Sequence, residues 1–161
     1  MYTEVKTSSG AKGRRIGIVV SQYHDKITTA LRDAAIEKFI EAGGMEENLI
    51  VAPAPGAFEL PAIAHALIQR GDLDAVVAIG CILTGETLHD RYIAQAVAEG
   101  LTAITARTGI PIAFGLLTCQ TMAQAKARAG GEVGNKGTEA MAAAIETINT
   151  LQAIRKQEGK G

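Results

Sequence analysis

Short, unbroken apolar runs alternate with longer amphipathic stretches along almost the whole of this chain. Ile16-Gly17-Ile18-Val19-Val20 and Ala75-Val76-Val77-Ala78-Ile79 carry no polar residue at either parity. A strand that is apolar at both parities has to be covered on both faces. Between such runs, residues 27–42 place Leu31, Ala34, Ala35, Ile36, Phe39 and Ile40 on one broad helical face, and Gly43-Gly44 ends it. The same rhythm predicts strands over 15–21, 49–52, 74–79 and 112–117. It predicts helices over 57–70, 90–107, 121–129 and 138–156, with Thr121 as a cap and Pro61 in a first turn. The glycine-rich segment 130–137 reads as a loop.

Strand–helix alternation with doubly covered strands predicts an α/β protein. The expected architecture is a three-layer α/β/α sandwich with a four-stranded parallel sheet, of the flavodoxin-like kind. A single domain over 15–156 follows, preceded by a flexible arm at 1–14 and followed by a polar tail at 157–161. The arm could dock on a neighbouring subunit.

Composition narrows the function. A formal net charge of −1 gives no electrostatic basis for nucleic acid or an anionic membrane surface. No apolar run approaches the ~20 residues of a membrane span. Met1 to Lys6 has no signal-peptide apolar region, so a cytoplasmic location is expected. The two cysteines, Cys81 and Cys119, read as reduced buried thiols at strand ends. No ligand spacing suggests a metal.

In open α/β sheets, ligands bind beyond the carboxyl ends of the strands. The residues there are Gln22 to Asp25, Pro53 to Glu59, Thr84 to His89, and Thr118 to Gln120. Tyr23 and Phe58 are loop aromatics in an aromatic-poor chain, suited to sandwiching a flat heterocycle or to plugging the core. Phe114 lies inside a predicted strand, which favours a core position. Glu59 suits a helix cap or a polyol acceptor. Gly85, Glu86 and Thr87 precede a helix and form an anion-binding turn, with Glu86 directed away from the anion. Arg128 and Lys136 are candidate counter-charges. His89 beside that turn is a candidate proton shuttle, with His24 and His65 as rivals. No Gly-x-Ser-x-Gly elbow, P-loop or dinucleotide fingerprint is present.

Four blocks together resemble lumazine synthases of riboflavin biosynthesis. They are Pro55-Gly56-Ala57-Phe58-Glu59-Leu60-Pro61, Gly80-Cys81-Ile82-Leu83-Thr84-Gly85-Glu86-Thr87-x-His89, Gly109-Ile110-Pro111-Ile112-Ala113-Phe114-Gly115-Leu116-Leu117-Thr118, and Arg128-Ala129-Gly130 with Gly134-Asn135-Lys136-Gly137. They stand in family order within residues 14–155. The resemblance implies condensation of 5-amino-6-ribitylaminouracil with 3,4-dihydroxy-2-butanone 4-phosphate. The products are 6,7-dimethyl-8-ribityllumazine, phosphate and water, and neither metal nor redox cofactor takes part.

By the match, Tyr23 stacks on the pyrimidine, and Gly56, Ala57, Phe58 and Glu59 line the pocket along the ribityl chain. Cys81, Ile82 and Leu83 read the pyrimidine edge. Gly85, Glu86 and Thr87, with Arg128, hold the phosphate, and His89 transfers protons. Phe114 becomes an aromatic contributed across a subunit interface, with Lys136 a polar contact nearby. Two departures stand out. His24 replaces an expected asparagine, and Thr84 replaces a frequent arginine. The resemblance also implies homopentamers, in some members assembled into an icosahedral shell, and riboflavin synthase as a candidate partner. The alternatives are a flavin- or lumazine-binding relative without turnover and a mainly shell-forming one.

Overall fold

A computed structural model describes residues 1–159. In chain order the elements are β1 (Ile16–Ser21), α1 (Asp25–Glu41), β2 (Leu49–Ala54), α2 (Leu60–Gln69), β3 (Ala75–Leu83) and α3 (His89–Thr108). β4 (Ile112–Cys119), α4 (Met122–Arg128), β5 (Ala129–Gly131), β6 (Gly134–Asn135) and α5 (Lys136–Glu158) complete the chain. The main sheet has four strands in the order β2-β1-β3-β4. All its pairings are parallel, with Ile18 beside Val51 on one side and Val77 on the other. This is the expected flavodoxin-like arrangement.

Consecutive strand residues point to opposite faces, so each apolar run feeds two cores. Ile16, Ile18 and Val20 pack with Leu31, Ala35 and Phe39 of α1 and with Met141, Ala144 and Ile145 of α5. Val19, Val76 and Ala78 face the other way, against Leu60, Ala64 and Leu67 of α2 and Val97, Leu101 and Ile104 of α3. Fully burying one such aliphatic or aromatic side chain contributes about 1.5–3 kcal/mol. The helices α1 and α5 approach so closely that a Cβ at Gly137 would run into the Leu31 carbonyl.

Several boundaries differ from expectation. β2 runs on through Pro53, which an edge strand tolerates because the missing N–H costs no inner ladder bond. The helix expected from residue 57 begins with a 3-10 turn, Ala57–Glu59, before α2. The expected loop 130–137 contains the antiparallel β5–β6 hairpin and the first residues of α5. Asn135 caps α5 by accepting from the Gly137 N–H at 2.8 Å. Thr121 caps α4 as expected, accepting from the Gln124 N–H at 3.2 Å.

At the start of the chain, the Ala11 N–H donates to the Ala42 carbonyl at 2.8 Å. The Asn149 side chain donates to the Gly10 carbonyl and accepts from Arg14. Residues 10–14 of the expected arm are therefore tied to α5 and the end of α1. At the other end, α5 includes Gln157 and Glu158, which the sequence placed in the tail. Lys160 and Gly161 lie outside the described residues. Among the described residues, no helix is long and apolar enough to cross a membrane.

Candidate active site

The chain leaves β1 for β2 on one side and later places β3 on the other. Loops leaving β1 and β3 therefore diverge, and a crevice opens at their carboxyl ends. A cavity of about 800 Å3 occupies that crevice. Such a volume suits a small organic ligand.

After β1, Tyr23 stands 68% exposed at the cavity wall. His24 follows with φ 58° and ψ 51°, in the left-handed region. It is the only non-glycine residue with positive φ among the described residues. Its carbonyl accepts from the N–H groups of Ile27 and Thr28, which starts α1 at this sharp turn. An L-residue in that conformation costs about 1–2 kcal/mol. Strain of this kind tends to collect where a side chain must be aimed.

After β2, Ala57 and Leu60 are buried and fix the 3-10 turn, so Phe58 between them projects outward at 64% exposure. Gly56, Ala57, Phe58 and Glu59 all line the cavity. The Glu59 carboxylate folds back over Gly56, where a Cβ would sit 3.2 Å from Oε2. Of three tyrosines, three phenylalanines and no tryptophan, only Phe39 belongs to the core. The aromatic complement of this protein is thus largely presented rather than buried.

β3 contributes Cys81, Ile82 and Leu83 to the floor. The Cys81 thiol is pushed up to about 11, first by burial and then by neighbouring Cys119. At neutral pH it is protonated and a poor nucleophile. Gly85 and Thr87 follow at the rim, while Glu86 lies outside the cavity wall. The Thr87 hydroxyl accepts from the His89 N–H at 3.3 Å and so marks the start of α3. Thr84 does not line the cavity, and both its N–H, at 2.9 Å, and its hydroxyl, at 3.4 Å, donate to the Cys119 carbonyl. His89 is the first residue of α3 and lines the cavity, whereas His65 does not.

Three expected site residues stand elsewhere in the chain. Phe114 is 42% exposed on the edge strand β4, so it is not the core residue its strand position suggested. It lines a small cleft against α3 with Leu101 and Thr105. Arg128 and Lys136 line another cleft, at the carboxyl end of β4 with Thr118 and Cys119. There Arg128 donates to the Gln124 carbonyl, and Lys136 pairs with Glu139 at 3.3 Å. Neither cation reaches the main cavity, whose described lining has no lysine or arginine.

The cavity also holds Asp90, Tyr92, Ile93 and Ala96, which sequence reading passed over. The signal was available in the helical period. A helix beginning at His89 puts Tyr92, Ile93 and Ala96 on the same stripe, at i+3, i+4 and i+7.

Residues 13–152 match the family of 6,7-dimethyl-8-ribityllumazine synthase. The chain belongs to the lumazine synthase family. It is 44% identical over 146 residues to the 6,7-dimethyl-8-ribityllumazine synthases of two Thermus thermophilus strains, covering 91% of this chain and 93% of theirs. It is 40% identical over 142 residues to the enzyme of that name from Bacteroides fragilis, covering 88% of this chain and 99% of the other. The match therefore spans both cores, the crevice and the two outlying clefts of this lumazine synthase family member.

Proposed function

We propose that this chain is an active lumazine synthase. It condenses 5-amino-6-ribitylaminouracil with 3,4-dihydroxy-2-butanone 4-phosphate to give 6,7-dimethyl-8-ribityllumazine, phosphate and water. The observation that carries this reading is a single cavity uniting Tyr23, Phe58, Cys81, Ile82, Leu83 and His89 in a member of this family.

In this reading the pyrimidine lies on Tyr23, with its edge on the backbone of Ile82 and Leu83 and its ribityl chain along Phe58 and Glu59. The amine attacks the ketone, the carbinolamine loses water, phosphate leaves and the ring closes with loss of water. Each step moves a proton, and His89 at the rim is placed to carry it. Holding both reactants together supplies much of the acceleration.

The phosphate needs a counter-charge that the cavity of one chain does not contain. We assign that charge to Arg128, with Lys136 nearby, from a neighbouring copy that also contributes the aromatic ring of Phe114. Their position along and beyond the exposed β4 edge supports this. The working unit is then a homo-oligomer, a pentamer or a shell of pentamers, for which riboflavin synthase is a candidate partner. The two free, buried cysteines fit a reducing, cytoplasmic setting.

Mixing the purified protein with both substrates and following lumazine absorbance tests the reading. A rate clearly above the uncatalysed reaction, lost when the phosphate ketone is omitted, is expected. A folded protein with no excess rate would leave only ligand binding.

A further inference from the structure

Asp90 occupies a register made for an apolar residue. On α3 it shares a stripe with Ile93, Ala94 and Val97, at i+3, i+4 and i+7, and these three pack into the core between α2 and α3. Asp90 is itself only 9% exposed. Among the described residues, its carboxylate has no hydrogen-bond or ion-pair partner. The helix N-terminus offsets part of that burial. Its oxygens are not among the sealed-off polar atoms of the described residues, so the small exposed part of Asp90 includes the carboxylate, which stays open to solvent while the rest of the side chain is covered.

What it does face is the cavity. Orienting His89 is not its task, because successive helical side chains diverge rather than meet. Phe58 and Glu59 line the same cavity, and α3 packs on the Ala57–Glu59 turn that carries them. Two carboxylates in one cavity whose described lining has no lysine or arginine disfavour a phosphate beside them, and when ionised they can only accept hydrogen bonds. The fitting occupant is a chain rich in hydroxyl donors.

We propose that Asp90 is a substrate-binding residue that accepts hydrogen bonds from the polyol chain of the pyrimidine substrate. This rests on the synthase reading and adds to it a second carboxylate beside Glu59. The bound polyol donates to oxygens that no protein group among the described residues occupies.

Binding of 6,7-dimethyl-8-ribityllumazine and of its 8-methyl analogue, which lacks the polyol, distinguishes the cases. In Asp90→Leu the ribityl ligand is expected to weaken by about tenfold or more, as for a lost hydrogen bond to a charged group. The 8-methyl analogue should bind as it does to the wild type. Asp90→Asn keeps an acceptor and should show a smaller loss of about threefold, again for the ribityl ligand alone. In turnover, KM for the pyrimidine should rise while KM for the phosphate ketone stays unchanged. Equal weakening of both lumazines, or of neither, in folded Asp90→Asn overturns the assignment even if the wild type is fully active. A wild type that neither turns over nor binds either lumazine overturns the synthase reading together with it.

Discussion

The Tyr23 ring meets the His24 ring edge-on, with 4.7 Å between centroids and 67° between planes. His24 makes that contact from the left-handed backbone that turns β1 into α1. The pair therefore joins a strained turn to the aromatic face of the cavity. An asparagine, expected here from the family resemblance, suits this backbone because its short polar side chain can hydrogen-bond locally. The imidazole gives up some of that ease and gains an edge against the tyrosine.

His24→Asn should then separate stability from binding. Relief of the left-handed strain should raise stability by about 0.5–1 kcal/mol. Loss of the edge contact should raise KM for the pyrimidine severalfold, because Tyr23 is less firmly held. Thermal melts and steady-state kinetics on the same samples read both. A less stable variant with unchanged KM would show that His24 supports the turn and not the ring.

His89→Ala should lower kcat by about 10–100-fold and leave both KM values nearly unchanged. General acid–base assistance is typically worth that much or more, and proximity within the cavity remains in the variant. Single-turnover rates at saturating substrate give the comparison. Complete loss of activity in a folded variant with normal substrate binding would make His89 indispensable and refute the proximity argument.

The separation of His89 from Arg128 predicts complementation between chains. His89→Ala and Arg128→Ala should each be impaired alone, Arg128→Ala chiefly in KM for the phosphate ketone. Co-refolded mixtures should regain activity, because some sites then pair an intact His89 with an intact Arg128 from a neighbour. A mixture no faster than the average of the two variants would place Arg128 in the service of its own chain.

How much of this was legible in the sequence follows from what leaves a periodic trace. β1 and β3 were evident because strands covered on both faces are apolar at every position. Tyr23, Phe58 and His89 were evident because they interrupt that pattern at strand ends. The β5–β6 hairpin left no trace, since Ala129–Gly131 and Gly134–Asn135 are too short and glycine-rich to show alternation. Asp90 was hidden by its place in a first turn, where an acidic residue needs no special explanation. The distance of Phe114, Arg128 and Lys136 from the main cavity depends on β4 lying at the sheet edge. That is a property of strand order, which no local pattern encodes.

Cys81 gives the pH dependence a definite sign. Its ordinary value is 9.0, and burial, with a contribution from Cys119, raises it to about 11 in the folded protein. Below pH 9 both folded and unfolded chains hold the proton, and the stabilisation is fully present. As pH rises towards 11 the unfolded thiol ionises first, so unfolding gains and stability falls by up to about 2–3 kcal/mol. Other groups also titrate there, so the informative quantity is the difference from Cys81→Ala. Urea melts at pH 8 and pH 10.5 should show the wild type losing more stability than the variant over that interval. Equal losses would mean that the thiol is reached by solvent and that the floor of the cavity is wetter than its packing indicates. The same protonated thiol should resist alkylation at pH 7.5 in the folded protein and react readily once the chain is unfolded.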